Sequence, residues 1–177
     1  MVRRRIGLEV VLVLAAAISA AAQSSGVYHS KLTGIEFSVP AGWSIVSEGP
    51  AAGGAYTVLL KDSVTNLSAL VWLKPQHIDP ADIATVLDRR LEAKLQQRAN
   101  WEGYRYRQET VRRTTIGGHE ALSVVAEYTI AGQRKVEYLT WVDSPNSRVI
   151  FDARLPEADL AVFESRFDQI IQSVVFP

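Results

Sequence analysis

The sequence predicts an α+β fold: an antiparallel β-sheet of about six to eight strands sandwiched between helices. Three observations predict it. Short runs with two-residue alternation recur between turns that carry glycine or proline. Only two stretches, one in the middle and one at the C-terminal end, place apolar residues at spacings of three and four. Strands also follow strands directly, without the repeated strand–helix–strand order that a parallel sheet requires.

In chain order, residues 27–31 and 35–39 read as a small hairpin turning at Leu32, Thr33 and Gly34. Ile35, Phe37 and Val39 share one face, and Pro40-Ala-Gly42 ends the strand because proline removes a ladder donor and glycine permits a reversal. Residues 43–47 form a further strand with Trp43 and Ile45 on one face, and 48–54 read as a loop. Residues 55–61 and 67–74 are apolar on both faces, which implies central strands covered on each side. Asp79-Pro80 starts a helix, with aspartate as cap and proline at the first helical position. Its stripe is Ile83, Val86, Leu87, Leu91 and Leu95, with Arg89, Arg90, Lys94 and Arg98 mostly off it and an end expected near Asn100. Residues 104–116 carry charges at a density suited to an edge strand. After Gly117-Gly118, residues 121–130 alternate with Leu122, Val124, Ala126, Tyr128 and Ile130 inward, and 136–142 and 149–155 complete the sheet. Pro156 opens a closing helix with Glu157 and Asp159 in its first turn and Leu160, Phe163, Phe167, Ile170, Ile171 and Val174 as its stripe. Trp43, Trp72 and Trp141 are assigned to the core.

The N-terminus has a different character. Arg3, Arg4 and Arg5 precede an apolar run over 10–18, and Ser19 to Ala22 supply small residues, the layout of a secretory signal peptide over residues 1–22 with a cut after Ala22. Residues 23–177 then form one domain. An uncleaved anchor is the alternative, but the run is short, rich in alanine and contains Glu9. The 177-residue chain has 19 basic and 19 acidic residues, and removal of the leader leaves it at about −2. That balance gives no reason to expect a polyanionic partner, so nucleic acid is not expected. The chain has no cysteine, which excludes disulfides, thiolate metal sites, cysteine nucleophiles and lipidation at the cut. A periplasmic or extracellular location follows, with no stable membrane anchor after cleavage. Asn66-Leu-Ser68 fits a glycosylation sequon, relevant only to a eukaryotic secretory route.

The run from Tyr28 through Gly34-Ile-Glu-Phe-Ser-Val-Pro-Ala-Gly-Trp43, with Gly118 to Ala121 and the closing Ile171-Gln-Ser-Val174, resembles the PsbP-like superfamily. That group includes photosystem II extrinsic proteins, the Ran-binding import factor Mog and bacterial DcrB-type envelope proteins. The resemblance covers nearly the whole chain after the leader. It implies an α/β/α sandwich around an antiparallel sheet and mostly non-catalytic roles in binding and assembly, with no family site residue to carry over.

Four candidate chemistries can be weighed on the residues. His119, beside Glu120 and four before Ser123, allows a Ser/His/acid reading, but no serine has a nucleophile-elbow glycine pattern. His77, Asp79 and Asp82 could ligate Zn²⁺ or Mn²⁺, against which both aspartates have a use at the helix start. Trp101, Tyr104 and Tyr106, interleaved with Arg105 and Arg107, could form a stacking platform, against which packing under a helix explains the same aromatics. The segment 48–54 is not a phosphate loop, since it lacks the Gly-Lys-Ser/Thr ending and a following helix. The expectation is a non-enzymatic module with no catalytic residues, metal or cofactor, binding an envelope or secreted protein. The alternative is a carrier holding a small apolar ligand between sheet and helix.

Overall fold

The structure, a computed structural model, describes residues 26–177. The expected signal peptide and its cut after Ala22 lie outside the described residues. Gly26–His29 (β1) and Glu36–Val39 (β2) form a two-stranded antiparallel ribbon. A second, eight-stranded sheet holds Trp43–Ala51 (β3), Ala55–Asp62 (β4), Ser68–Pro75 (β5), Arg105–Tyr106 (β6), Arg112–Ile116 (β7), His119–Ile130 (β8), Gln133–Asp143 (β9) and Ser147–Pro156 (β10). Its order is β3-β4-β5-β10-β9-β8-β6, with β7 also paired to β8, and every pairing is antiparallel. The two helices are Ile83–Gln97 (α1) and Leu160–Ile171 (α2). The expected α+β fold, with an antiparallel sheet between helices, is therefore the observed one.

The two faces are covered unequally. Against one lie α2 and the β1–β2 ribbon, whose end is tied down by a reciprocal pair of backbone bonds between Glu36 and Val175. The opening motif anchors this side: Trp43 stacks on Phe167 and meets Phe163 edge-on, each 5.6 Å between centroids. Arg166 of α2 grips the fully buried Asp62 with two hydrogen bonds, 2.8 and 2.7 Å. The same carboxylate also accepts from the Val64 and Thr65 amides, so one side chain shapes the β4–β5 turn and pins it to α2. On the other face α1 crosses β8 and β9, burying Ile83 and Leu87 against Tyr106, Leu122, Val124, Leu139 and Trp141.

Several expectations are corrected. The segment 48–54 is not all loop: β3 runs on to Ala51, and only Ala52–Gly54 turns. A register shift between Ile45 and Ser47 lets the strand continue, and Pro50 is tolerated because β3 is a sheet edge. The run 104–116 is not one strand. It breaks at Gln108–Thr110, where the Thr110 hydroxyl accepts from the Val125 amide (2.9 Å) in place of a ladder partner. Both pieces do lie at the sheet edge, as their charge suggested. Ile130 is 53% exposed, at the tip of a hairpin that outruns the helix above it. Leu95 is exposed and α1 ends at Gln97. Trp72 is not in the core: with Leu59 and Leu70 it sits half-buried on the face of β4 and β5 that no helix among the described residues covers.

Candidate functional site

The inner face of α1 changes character along its length. Its first turns bury Ile83 and Leu87, but Arg90 and Lys94, with Arg98 just past its end, four residues apart, then take the sheet-facing positions. They do so because the strands beneath carry acids. Alternation along β9 places Glu137, Leu139, Trp141 and Asp143 on one face, and β10 adds Asp152 and Arg154 to that face.

The pairing is specific. Arg90 makes a two-pronged contact with Asp143, Nε to Oδ2 and Nη2 to Oδ1, both 2.8 Å, and Gln76 donates to the same carboxylate at 2.7 Å. Glu137, with a side chain 0% exposed, faces Lys94 Nζ at 3.2 Å, Arg98 Nη2 at 3.1 Å and Arg154 Nε at 3.0 Å. Tyr104 donates its phenolic proton to the other Glu137 oxygen at 2.6 Å. Asp152 takes contacts from Lys94 (3.3 Å) and Arg154 (3.1 Å). Burial pushes the Glu137 carboxyl up, but Lys94, the Tyr104 hydrogen bond, Arg98 and Arg154 together outweigh it and hold the acid below its ordinary range. Burial and the Glu137 charge push the Tyr104 phenol far up, so it stays a donor. Such a network contributes modest net stability when whole and costs much when one member is removed.

A cleft of about 460 Å³ opens beside this network, between the flank of α1 (Arg90, Lys94, Arg98) and a floor of Trp72, Trp141 and Ile150. It is a groove open to solvent. Its wall is Arg90, Lys94, Arg98 and Arg154, each already paired with an acid, together with Asp152, over aromatic and aliphatic surface.

The residues singled out in the sequence are not brought together here. Asp79 caps the helical start through its side chain, accepting from the Ala81 amide at 2.9 Å, and His77 is exposed. Among the described residues no group of three or more His, Cys, Asp or Glu converges as a metal site would. His119 lies edge-on to Phe176 at 4.6 Å, while Ser123 shares a hydrogen bond with Thr140 at 2.9 Å. Trp101 carries the Arg98 guanidinium over its ring at 4.1 Å and packs on Tyr128 at 4.8 Å. Tyr106 donates to the Leu91 carbonyl under α1 at 2.9 Å, and Arg105 and Arg107 pair with Glu127 on the opposite face. The aromatics there are structural.

Sequence reasoning missed the Glu137 network. Its signal was present: bases at 90, 94 and 98 fall on one helix side, and Glu137, Asp143 and Asp152 interrupt otherwise apolar strands.

An antiparallel sheet closed on one face by a C-terminal helix and half closed on the other by a middle helix, with an open groove beside it, defines an α+β sandwich. More particularly, the chain has the PsbP-like fold. It is similar to the solution structure of cyanobacterial PsbP (CyanoP) from Synechocystis sp. PCC 6803, with a TM-score of 0.61 at 14% identity over 87% of this chain and 93% of that one. It is also similar to LpqN, involved in cell envelope biogenesis of Mycobacterium tuberculosis, with a TM-score of 0.53 at 15% identity over 87% and 91% of the two chains. A Bacteroides thetaiotaomicron structure matches with a TM-score of 0.55 at 10% identity, over 88% of this chain and 49% of that one. No protein-family model and no curated protein matches the sequence.

Proposed function

We propose that this protein is an exported, non-catalytic binding module that docks another protein of the cell envelope on the groove beside α1. The observation that carries the reading is that groove: an open, half-apolar surface walled by cations, next to a filled core. The signal-peptide layout of residues 1–22 supports export, and a fold similar to that of an envelope-biogenesis protein is consistent with it. No described helix is long and apolar enough to cross a membrane.

A second reading has one observation in its favour. The groove's volume, about 460 Å³, falls within the range of small-ligand sites, which keeps a carrier of a small apolar molecule as the alternative. Its charged, open lining argues against that cargo.

Site-directed photocrosslinking separates the two. A crosslinker replacing Trp72 is expected to capture a protein in the native envelope, whereas one replacing Val162, exposed on the far side of α2, is not. Capture only at position 162 defeats the reading. A small molecule retained in native mass spectrometry, with no protein captured at position 72, transfers it to the carrier.

A further inference from the structure

We infer that the occupant of this groove is an acidic amphipathic helix of the partner, laid on β5 and β10 alongside α1. This rests on the docking role proposed above and adds its chemistry.

The space has the dimensions of one helix. Among the described residues α1 packs mainly on β8 and β9 and touches β10 at its near edge through Lys94 and Asp152, so the outer faces of β5, β4 and β3 and the β5 side of β10 lack a helical cover. Four strands at about 4.8 Å spacing span roughly 14 Å, enough for one helix about 10 Å wide beside α1. The eight residues of β5 run roughly 26 Å, the length of about 17 helical residues.

The floor is apolar and continuous. Leu59 lies opposite Leu70, Trp72 lies opposite Ile150, and Leu70 and Trp72 are two apart on β5, so the four side chains form one patch across three strands. All four are only half-buried.

The frame is positive. Lys61 stands at one end of the patch, and Lys74 and Arg148 at the other. With Arg154 and the helix bases Arg90, Lys94 and Arg98, the face carries seven bases against the three acids Glu137, Asp143 and Asp152. Yet the chain as a whole is neutral. The excess is concentrated here.

One pair within the frame is unsatisfied on its own terms. Lys74 and Arg148 lie directly opposite each other across β5 and β10, a like-charge arrangement that destabilises a sheet unless an anion lies over it. Arg148 faces Asp143 on its other side, but Arg90 and Gln76 already occupy that carboxylate. The buried Arg148 Nε has no hydrogen-bond partner, and among the described residues neither Lys61, Lys74 nor Arg148 makes an ion pair. Glutamates flanking the apolar stripe of an incoming helix would supply the countercharge that Lys61, Lys74 and Arg148 lack. Among the described residues α2 does not offer such a helix, since its exposed side is Ala161, Val162, Ser165 and Gln169, and the exposed side of α1 sets Arg89 beside Asp88 and Glu92 with Leu95 as its one large apolar side chain.

The probe is an 18-residue helical peptide with a leucine stripe flanked by glutamates, compared with the same peptide carrying lysines in their place. Calorimetry gives affinity, and backbone amide NMR shifts give location. The glutamate peptide is expected to bind with a dissociation constant of tens of micromolar, to shift β5, β10 and α1, and to lose about tenfold in affinity at high salt. Lys74→Glu is expected to fold at least as well as the parent, because a glutamate there pairs with Arg148, yet to weaken the peptide about tenfold. Lys31→Glu, an equal charge change at the distant β1–β2 turn, should leave affinity within about twofold. Equal binding of the lysine peptide, shifts on β7 and α2, or no response to the glutamate peptide would each overturn the proposal. So would binding to phosphatidylglycerol vesicles without binding to the peptide. If crosslinking at position 72 persists unchanged in Lys74→Glu and the peptide does not bind, docking stands and the acidic helix falls. If crosslinking at position 72 never occurs, the docking role itself falls.

Discussion

Replacing Glu137 by glutamine removes one charge from the centre of the network and almost no volume. The amide can still accept from Tyr104, but Lys94 and Arg154 then share only Asp152, and Arg98 is left with no carboxylate partner. Lys94 and Arg98 are 12% and 14% exposed, too buried to be solvated fully in place. Removing one partner of a buried ion pair costs about 3–5 kcal/mol, and the adjacent open groove, which lets water reach the freed cations, points to the lower end, about 3 kcal/mol. In urea, with a slope of about 2 kcal/mol per molar, the unfolding midpoint should fall by roughly 1.5 M, read by tryptophan fluorescence. The pH dependence gives a second constraint. Glu137 is held below its ordinary range when folded, so its stabilisation is complete above the unfolded carboxylate value of about 4.3 and is lost as pH falls through the folded value. The difference between parent and Glu137→Gln should therefore be flat between pH 5 and 8 and shrink below about pH 4. A difference under about 1 kcal/mol at pH 7, or one that stays constant down to pH 3, would refute the assignment of Glu137 as the charged centre of this network.

Three further outcomes follow from the packing. Phe167→Ala empties the junction of Trp43, Phe151 and Phe163, whose rings lie 5.6, 5.7 and 5.2 Å away, and should cost about 3–5 kcal/mol in chemical denaturation. Gly117→Ala should destabilise by at least the left-handed penalty of about 1–2 kcal/mol, since φ is +57° and a Cβ would stand 2.6 Å from the Val174 carbonyl oxygen; calorimetric melting checks it. Ala131→Asn has the opposite sign: Ala131 holds φ +51° in the β8–β9 hairpin, a conformation that asparagine tolerates better, so the melting temperature should rise by an amount worth about 0.5–1 kcal/mol.

Most elements were legible because their signals are local. Asp79-Pro80 starts a helical segment through a cap that needs only neighbouring residues, and the stripe Phe163, Phe167, Ile170 on α2 faces the core as its spacing requires. The errors have a common cause. Trp72 and the double-sided apolarity of β4 and β5 predicted cover on both faces, but alternation records that a face is apolar and not whether this chain supplies the cover. The apolar stripe Ile83, Val86, Leu87, Leu91 and Leu95 sets the bases of α1 off the buried face, yet Leu95 turns outward because Arg90, Lys94 and Arg98 have acids to meet beneath them. Nothing local to the helix states that Glu137, some forty residues on, lies under it.

The sequence by itself determined an antiparallel α+β chain, its turns, its closing helix and the place of Trp43, because each follows from backbone geometry and side-chain periodicity over a few residues. Tertiary structure alone decided that α1 covers half a face, that its bases neutralise buried acids from β9 and β10, and that Lys74 meets Arg148 across a strand pair. Those are relations between residues distant in sequence. Charge pairing acts through space with little regard for chain order, so only the packed sheet could place these charges around one groove.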